Sequence, residues 1–239
     1  MEYAELVEVY ENLFGTTKKL EKSDILAEFL KNLRKDGGKS EWIYLLQGKV
    51  VPEYDVREFG ISGQLVIKAL IKAYGVSSDE VVGRVKEVGD LGEIASHFAE
   101  KKRQKALFAK RLSVDHVFSS LRKLFDLEGK GSVDQKMNLI SELLLSAEPV
   151  EAKYIVRTLL SDLRIGVADA SIRDSIRKVF FSKSLDDKEK DKEIKSKIEV
   201  AYDLVNDSAA IFDAASKGEK ALEKLSVLPG RALKVMLPI

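Results

Sequence analysis

Apolar residues recur at helical spacing along almost the whole chain. Tyr3, Leu6, Tyr10 and Leu13 set the pattern, Ile25, Phe29 and Leu33 repeat it, and Ile155, Leu159 and Leu163 followed by Ile172, Ile176, Val179 and Phe180 carry it on. Intervals of three and four put such residues on one face of a helix, and no stretch alternates as a half-buried strand would. Start signals agree: Ser77 with Glu80, Asp90 with Glu93 and Ser132 with Gln135 each place a side-chain oxygen three residues before a Glu or Gln, the signature of a helix N-terminus. Ser113 is placed to cap a further helix. Glycines at 37–38, 48, 60, 75, 89, 129 and 166 punctuate these segments. The pattern predicts an all-α fold of about a dozen short helices in two packed lobes. Residues 1–224 form the helical body, with a lobe break near 101–112, and residues 225–239, LSVLPGRALKVMLPI, lose the period and read as a connector.

Composition narrows the function classes. Among 239 residues, 40 Lys and Arg balance 39 Asp and Glu, 45% are apolar and none is Cys, so a real core is expected and a disulfide framework or cysteine-ligated zinc is excluded. His97 and His116 are too few to close a catalytic zinc site, so no metal site is assigned. The acidic, amphipathic start and the lack of an apolar run near the roughly 20 residues that span a bilayer predict a cytoplasmic monomer with no membrane association. Residues 183–199 carry six basic and six acidic side chains and read as a solvated helix face laced with i,i+4 pairs.

Three nucleotide motifs are nearly present. Gly38-Lys39-Ser40 copies the end of a P-loop, but Leu33 stands where the earlier glycine is needed. Gly129-Lys130-Gly131-Ser132 has no strand before it, which a dinucleotide fold requires. Arg34-Lys35-Asp36-Gly37 resembles the Lys-x-Asp-Gly of covalent nucleotidyl transferases, yet a guanidinium stays protonated and is no nucleophile. The chain by itself is therefore expected to be catalytically inactive.

Two other segments hold chemistry. Residues 101–111, KKRQKALFAKR, concentrate six basic side chains with no acid, which attracts phosphates by counterion release. Within them Leu107 and Phe108 lie side by side, to be covered either by a partner or by the helix that follows. The second segment runs from Arg157 to Ala168 and on to Arg173 and Arg177. A helix ending near Gly166 and another starting near Asp169 would present backbone N–H groups, with Arg164 beside them, to one phosphate. Arg173 and Arg177, four apart, are expected on the outer face of the second helix, where they either meet phosphate or form ordinary surface ion pairs.

GDLGEIA (89–95), GKGSVDQKM (129–137), AEPVEAKYIVRTLLSDLRIGVADASIRDSI (147–176) and PGRALKVML near the end together resemble the N-terminal DNA-binding domain of archaeal ATP-dependent DNA ligases. The likeness covers essentially the whole chain and extends more weakly to eukaryotic replicative ligases, with Leu163-Arg164-Ile165-Gly166 its most specific string. It implies an all-helical domain that grips duplex DNA across the minor groove on both sides of a nick, in replication, repair and recombination. Phosphate contacts would fall on Ser132 and Lys136 in one loop and on Arg164, Gly166 and Ala168 in another, with Arg173 and Arg177 as further candidates; Asp162 stands where eukaryotic ligases carry Arg. Gln104, Leu107 and Phe108 are similar to the motif by which archaeal ligases bind a sliding clamp. In such ligases the adenylylated lysine lies beyond a string like PGRALKVML, so ATP and Mg2+ are implied for a longer enzyme and not for residues 1–239. The rival readings are a stand-alone, non-catalytic DNA- or clamp-binding protein and a helical protein-interaction scaffold.

Overall fold

The computed structural model describes residues 1–101, 111–227 and 229. Among them are twelve α-helices, two 3-10 segments and no strand, the all-α architecture that the periodicity predicts. The chain divides into two compact units, each built from two separate stretches.

The first unit comprises residues 1–8 and 58–164. It holds the start of α1 (Tyr3–Phe14), then α3 (Gly63–Tyr74), α4 (Ser78–Val88), α5 (Leu91–Glu100), α6 (Val114–Asp126), α7 (Ser132–Ser146) and α8 (Pro149–Leu159). Helix α5 packs along α8 and α3 along α7. Their shared core contains Val66, Leu70, Ile94, Phe98, Ile140, Leu144, Ile155 and Leu159, all essentially removed from water. Burial of such aliphatic and aromatic side chains, each contributing about 1.5–3 kcal/mol, holds the helices together far more than their propensities do.

The second unit comprises residues 9–57 and 165–239. It contains the end of α1, α2 (Lys19–Lys35), a 3-10 segment at Ser40–Gln47, α9 (Asp169–Phe180), α10 (Lys188–Val205), α11 (Ser208–Lys217) and α12 (Glu219–Leu222). Helix α2 packs on α9, and α11 on the 3-10 segment. The buried face of α2 is Leu26, Phe29, Leu30 and Leu33, with Ile25 only half-buried at its edge.

The division does not fall at 101–112, because the helices on both sides of that stretch belong to the first unit. A basic, polar segment suggests a boundary when lobes are assumed contiguous, whereas here the chain passes between units at 8–9, 57–58 and 164–165. The local start signals fare better. Ser77, Asp90 and Ser113 each cap a helix through the side chain. Ser132 differs: Gly131, at φ 85°, occupies the cap position and Ser132 is the first residue inside α7. The charge run also starts later than its composition suggests, with Asp187 capping α10. No helix among the described residues is long and apolar enough to cross a membrane.

Candidate nucleic-acid interface

In the first unit one candidate residue, Arg164, lies on the segment that follows α8. Ser161 and Arg164 adopt left-handed backbone conformations, φ 54° and 58°, which reverse the chain and bring the Arg164 side chain back toward α5. Its Nε donates to Asp162 Oδ2 at 2.7 Å and its Nη1 to Asp90 Oδ2 at 3.1 Å. The side chain remains 45% exposed, and Nη2 donates to no group among the described residues. With Nε and Nη1 tied, Nη2 is left to donate to an acceptor such as phosphate.

Asp90 holds this arrangement from α5. Its Oδ1 accepts the N–H groups of Gly92 and Glu93, capping the helix, while Oδ2 also accepts Arg157 Nη2 at 2.7 Å. Arg157 is 4% exposed and bonds Glu93 Oε1 with the same nitrogen, and Lys153 Nζ reaches Glu93 at 3.0 Å. Desolvation pushes the Asp90 carboxyl up, but the Arg157 hydrogen bond and charge, the Gly92 N–H and Arg164 together outweigh it and hold the group below the usual aspartate value. Gly92 makes the packing possible: a Cβ there would lie 2.8 Å from Arg157 Cγ and 2.9 Å from the Lys153 carbonyl oxygen. Any larger residue would force α5 away from α8.

Elsewhere in the same unit, Gly129 and Gly131 turn the chain at φ 81° and 85° into α7. Ser132, half-buried, opens that helix where unpaired N–H groups and the helix dipole favour an anion. Lys136, one turn later, donates from Nζ to the Phe59 carbonyl at 2.9 Å, and Phe59 stacks on Phe125. Lys136 is thus tethered to a loop, with donor capacity left over.

The second unit holds Gly166 and Ala168. Gly166 is left-handed at φ 62°, and Ala168 occupies the cap position of α9 without a capping side chain. Asp169, the first residue of α9, has its carboxylate drawn away by Gln47 Nε2 at 2.6 Å and by the Tyr202 hydroxyl at 3.3 Å.

Arg173 and Arg177 do not form the outward-facing pair expected of them. Helix α10 packs on that side of α9. Arg173 lies with its guanidinium carbon 4.6 Å above the Tyr202 ring, and Arg177, 11% exposed, bonds Asp174 and Asp191. The periodicity holds for α9 in part: Ile172 and Ile176 are buried, whereas Val179 and Phe180 are only half-buried, and a second helix covers the flank that carries the arginines. Gln104, Leu107 and Phe108 lie outside the described residues; at the edge of their segment, Arg111 pairs with Glu2 at 3.0 Å.

The sequence marks Asp90 and Glu93 only as a helix start and gives no sign of the roles of Lys153 and Lys22. Every residue of α8 from Glu151 to Leu159 is buried, and an arginine inside a helix enclosed on all sides must find a carboxylate; that enclosure comes from packing and is not written in the sequence. What the sequence does not contain is which carboxylate.

A family profile described as DNA ligase N terminus matches residues 2–177. The DNA ligase of Methanobrevibacter smithii is 40% identical over 239 residues, covering 99% of this chain and 41% of that protein. The DNA ligase of Methanosphaera stadtmanae is 38% identical over 98% of this chain, and that of Thermococcus fumicolans 36% identical over 99%. The chain thus spans about two fifths of the length of the curated relatives it matches.

Proposed function

The chain belongs to the DNA ligase N-terminal family, and on that premise we propose that it binds duplex DNA around a nick through backbone phosphates in the minor groove, holding the substrate for a ligase active site supplied by the rest of the protein. The observation that carries this reading is Arg164: half-exposed, tied by Asp90 and Asp162, with Nη2 left to donate. In the first unit Ser132 and Lys136 supply further contacts at the start of α7; in the second, Gly166 and Ala168 supply backbone N–H groups at the start of α9. Phosphate contacts fix position without reading sequence, as a ligase that must act on any nick requires.

Ligation chemistry would reside elsewhere in the longer protein. ATP and Mg2+ serve that chemistry, and the residues present do not fit a covalent nucleotide: Arg34 holds the position of the attacking lysine and lies 4.9 Å over the Phe180 ring. Gln104, Leu107 and Phe108 would recruit a sliding clamp, for a role in replication and repair.

The test is a salt titration of residues 1–239 against a nicked duplex of mixed sequence. With some four to eight phosphates neutralised, log affinity should fall against log salt with a slope near −4 to −7 and show little sequence preference. A flat salt dependence, or no binding at low salt, would overturn the reading.

A further inference from the structure

The carboxylates around Arg164 pose an electrostatic problem for a DNA-binding surface. Asp90, Glu93 and Asp162 match Lys153, Arg157 and Arg164 charge for charge, so this cluster adds no net positive charge toward a polyanion. Whatever it contributes to binding must come from geometry.

We propose that Asp90 is a positioning residue for DNA binding: pinned by the buried Arg157, its Oδ2 fixes Arg164 so that Nη2 of the guanidinium is held ready for a phosphate. The inference rests on the phosphate reading of Arg164. Asp162 could not do this alone, since it is 54% exposed and only two residues from Arg164 on the same segment. Asp90 sits at the rigid start of α5, is 10% exposed, and has both oxygens committed: Oδ1 to the Gly92 and Glu93 N–H groups, Oδ2 to Arg157 and Arg164. Arg157 in turn is enclosed by α8 and by the close approach of Gly92, so it cannot follow Arg164 outward. One carboxylate oxygen therefore joins a buried arginine to a half-exposed one. The long, rotamer-rich side chain of Arg164 is ordered when the protein folds and not when DNA binds, which is the general route by which preorganisation raises affinity.

The sign of a single substitution separates this from simple electrostatics. Asp90→Asn keeps the helix cap, because Asn and Asp are near equals there, and it raises the net charge by one. If the surface acts only through charge, the variant binds a nicked duplex more tightly than the parent chain. Positioning predicts weaker binding, by about three- to tenfold, within the range of couplings seen when one member of a shared network is removed. Asp162→Asn makes the same charge change but leaves Arg164 held from α5, and its affinity should equal or exceed that of the parent. The loss from Asp90→Asn should vanish in an Arg164→Ala background. Should Asp90→Asn not fold, Asp90→Glu is read in its place: it retains the charge at the wrong reach, and the same loss is expected. If Arg164→Ala leaves affinity unchanged, the phosphate reading itself falls. If Arg164→Ala weakens binding while the Asp90 variants tighten it, leave it unaltered or add their full effect to Arg164→Ala, the positioning role alone is refuted.

Discussion

Lys22 Nζ lies 2.5 Å from the carbonyl oxygen of Ile165 and 3.1 Å from that of Gly166, so a cation on α2 braces the turn that leads into α9. These carbonyls precede the helix, and the lysine offsets their partial negative charge. Gly166 owes its identity to this turn: its φ is 62°, and a Cβ would lie 2.6 Å from Lys22 Nζ.

Gly166→Ala should therefore destabilise the protein by about 1–2 kcal/mol, the cost of a left-handed conformation in an L-residue, measured by urea denaturation. The close contact is with the mobile end of a lysine, so Lys22→Ala combined with Gly166→Ala should cost less than the two single changes added together.

Two buried carboxylates give opposite pH dependences. Asp90 is held below its usual value, so its contribution is present above about pH 4, the unfolded range, and is lost as pH falls through its lower native value. Glu151 is pushed up, chiefly by burial, and then by the nearby carboxylates of Glu148 and Glu2 against the opposing backbone N–H of Glu148. Its native state binds a proton more readily than the unfolded chain, so stability falls as pH rises from about 4.3, the unfolded value, through the raised native one. Thermal unfolding across pH should show both limbs. Glu151→Gln should remove the upper limb while leaving the acid loss below pH 4, and an unchanged upper limb would refute the assignment.

For DNA, Arg164→Ala should weaken binding to all duplexes alike and lower the magnitude of the salt slope by about one. Lys190→Ala, on the exposed face of α10, should change little. Equal losses from the two variants would mean diffuse attraction and no defined site.

The proposed clamp recruitment should be separable from DNA binding. Leu107→Ala together with Phe108→Ala should remove most affinity for the cognate sliding clamp in calorimetry, since apolar anchors each contribute about 2 kcal/mol or more. The DNA salt titration should be unaffected. Undiminished clamp affinity would show that these two side chains are not the anchors.

Incubation of residues 1–239 with labelled ATP and Mg2+ should yield no covalent adenylate, because Lys35 is out of register with the motif and Arg34 is not a nucleophile. A stable, lysine-linked adenylate would contradict this.

Features set within a few residues were legible from the sequence. The stripe Tyr3, Leu6, Tyr10 and Leu13 is fully buried as its spacing requires, and Ser77, Asp90 and Ser113 cap the helices that follow them, because a cap needs only the next turn of backbone. The family strings were equally local, and three of the four lie within residues 2–177, where the family profile matches. Tertiary structure alone decided the rest. Arg177 reads as a surface residue until Asp191, fourteen positions away, arrives on another helix. The two units interleave in sequence, so no local composition marks their boundaries. Asp90 and Arg164, seventy-four residues apart, meet only because Gly92 lets α5 lie against α8. A charged side chain can choose among many opposite charges in a balanced sequence, and the packing of helices over their apolar faces determines which of them it reaches.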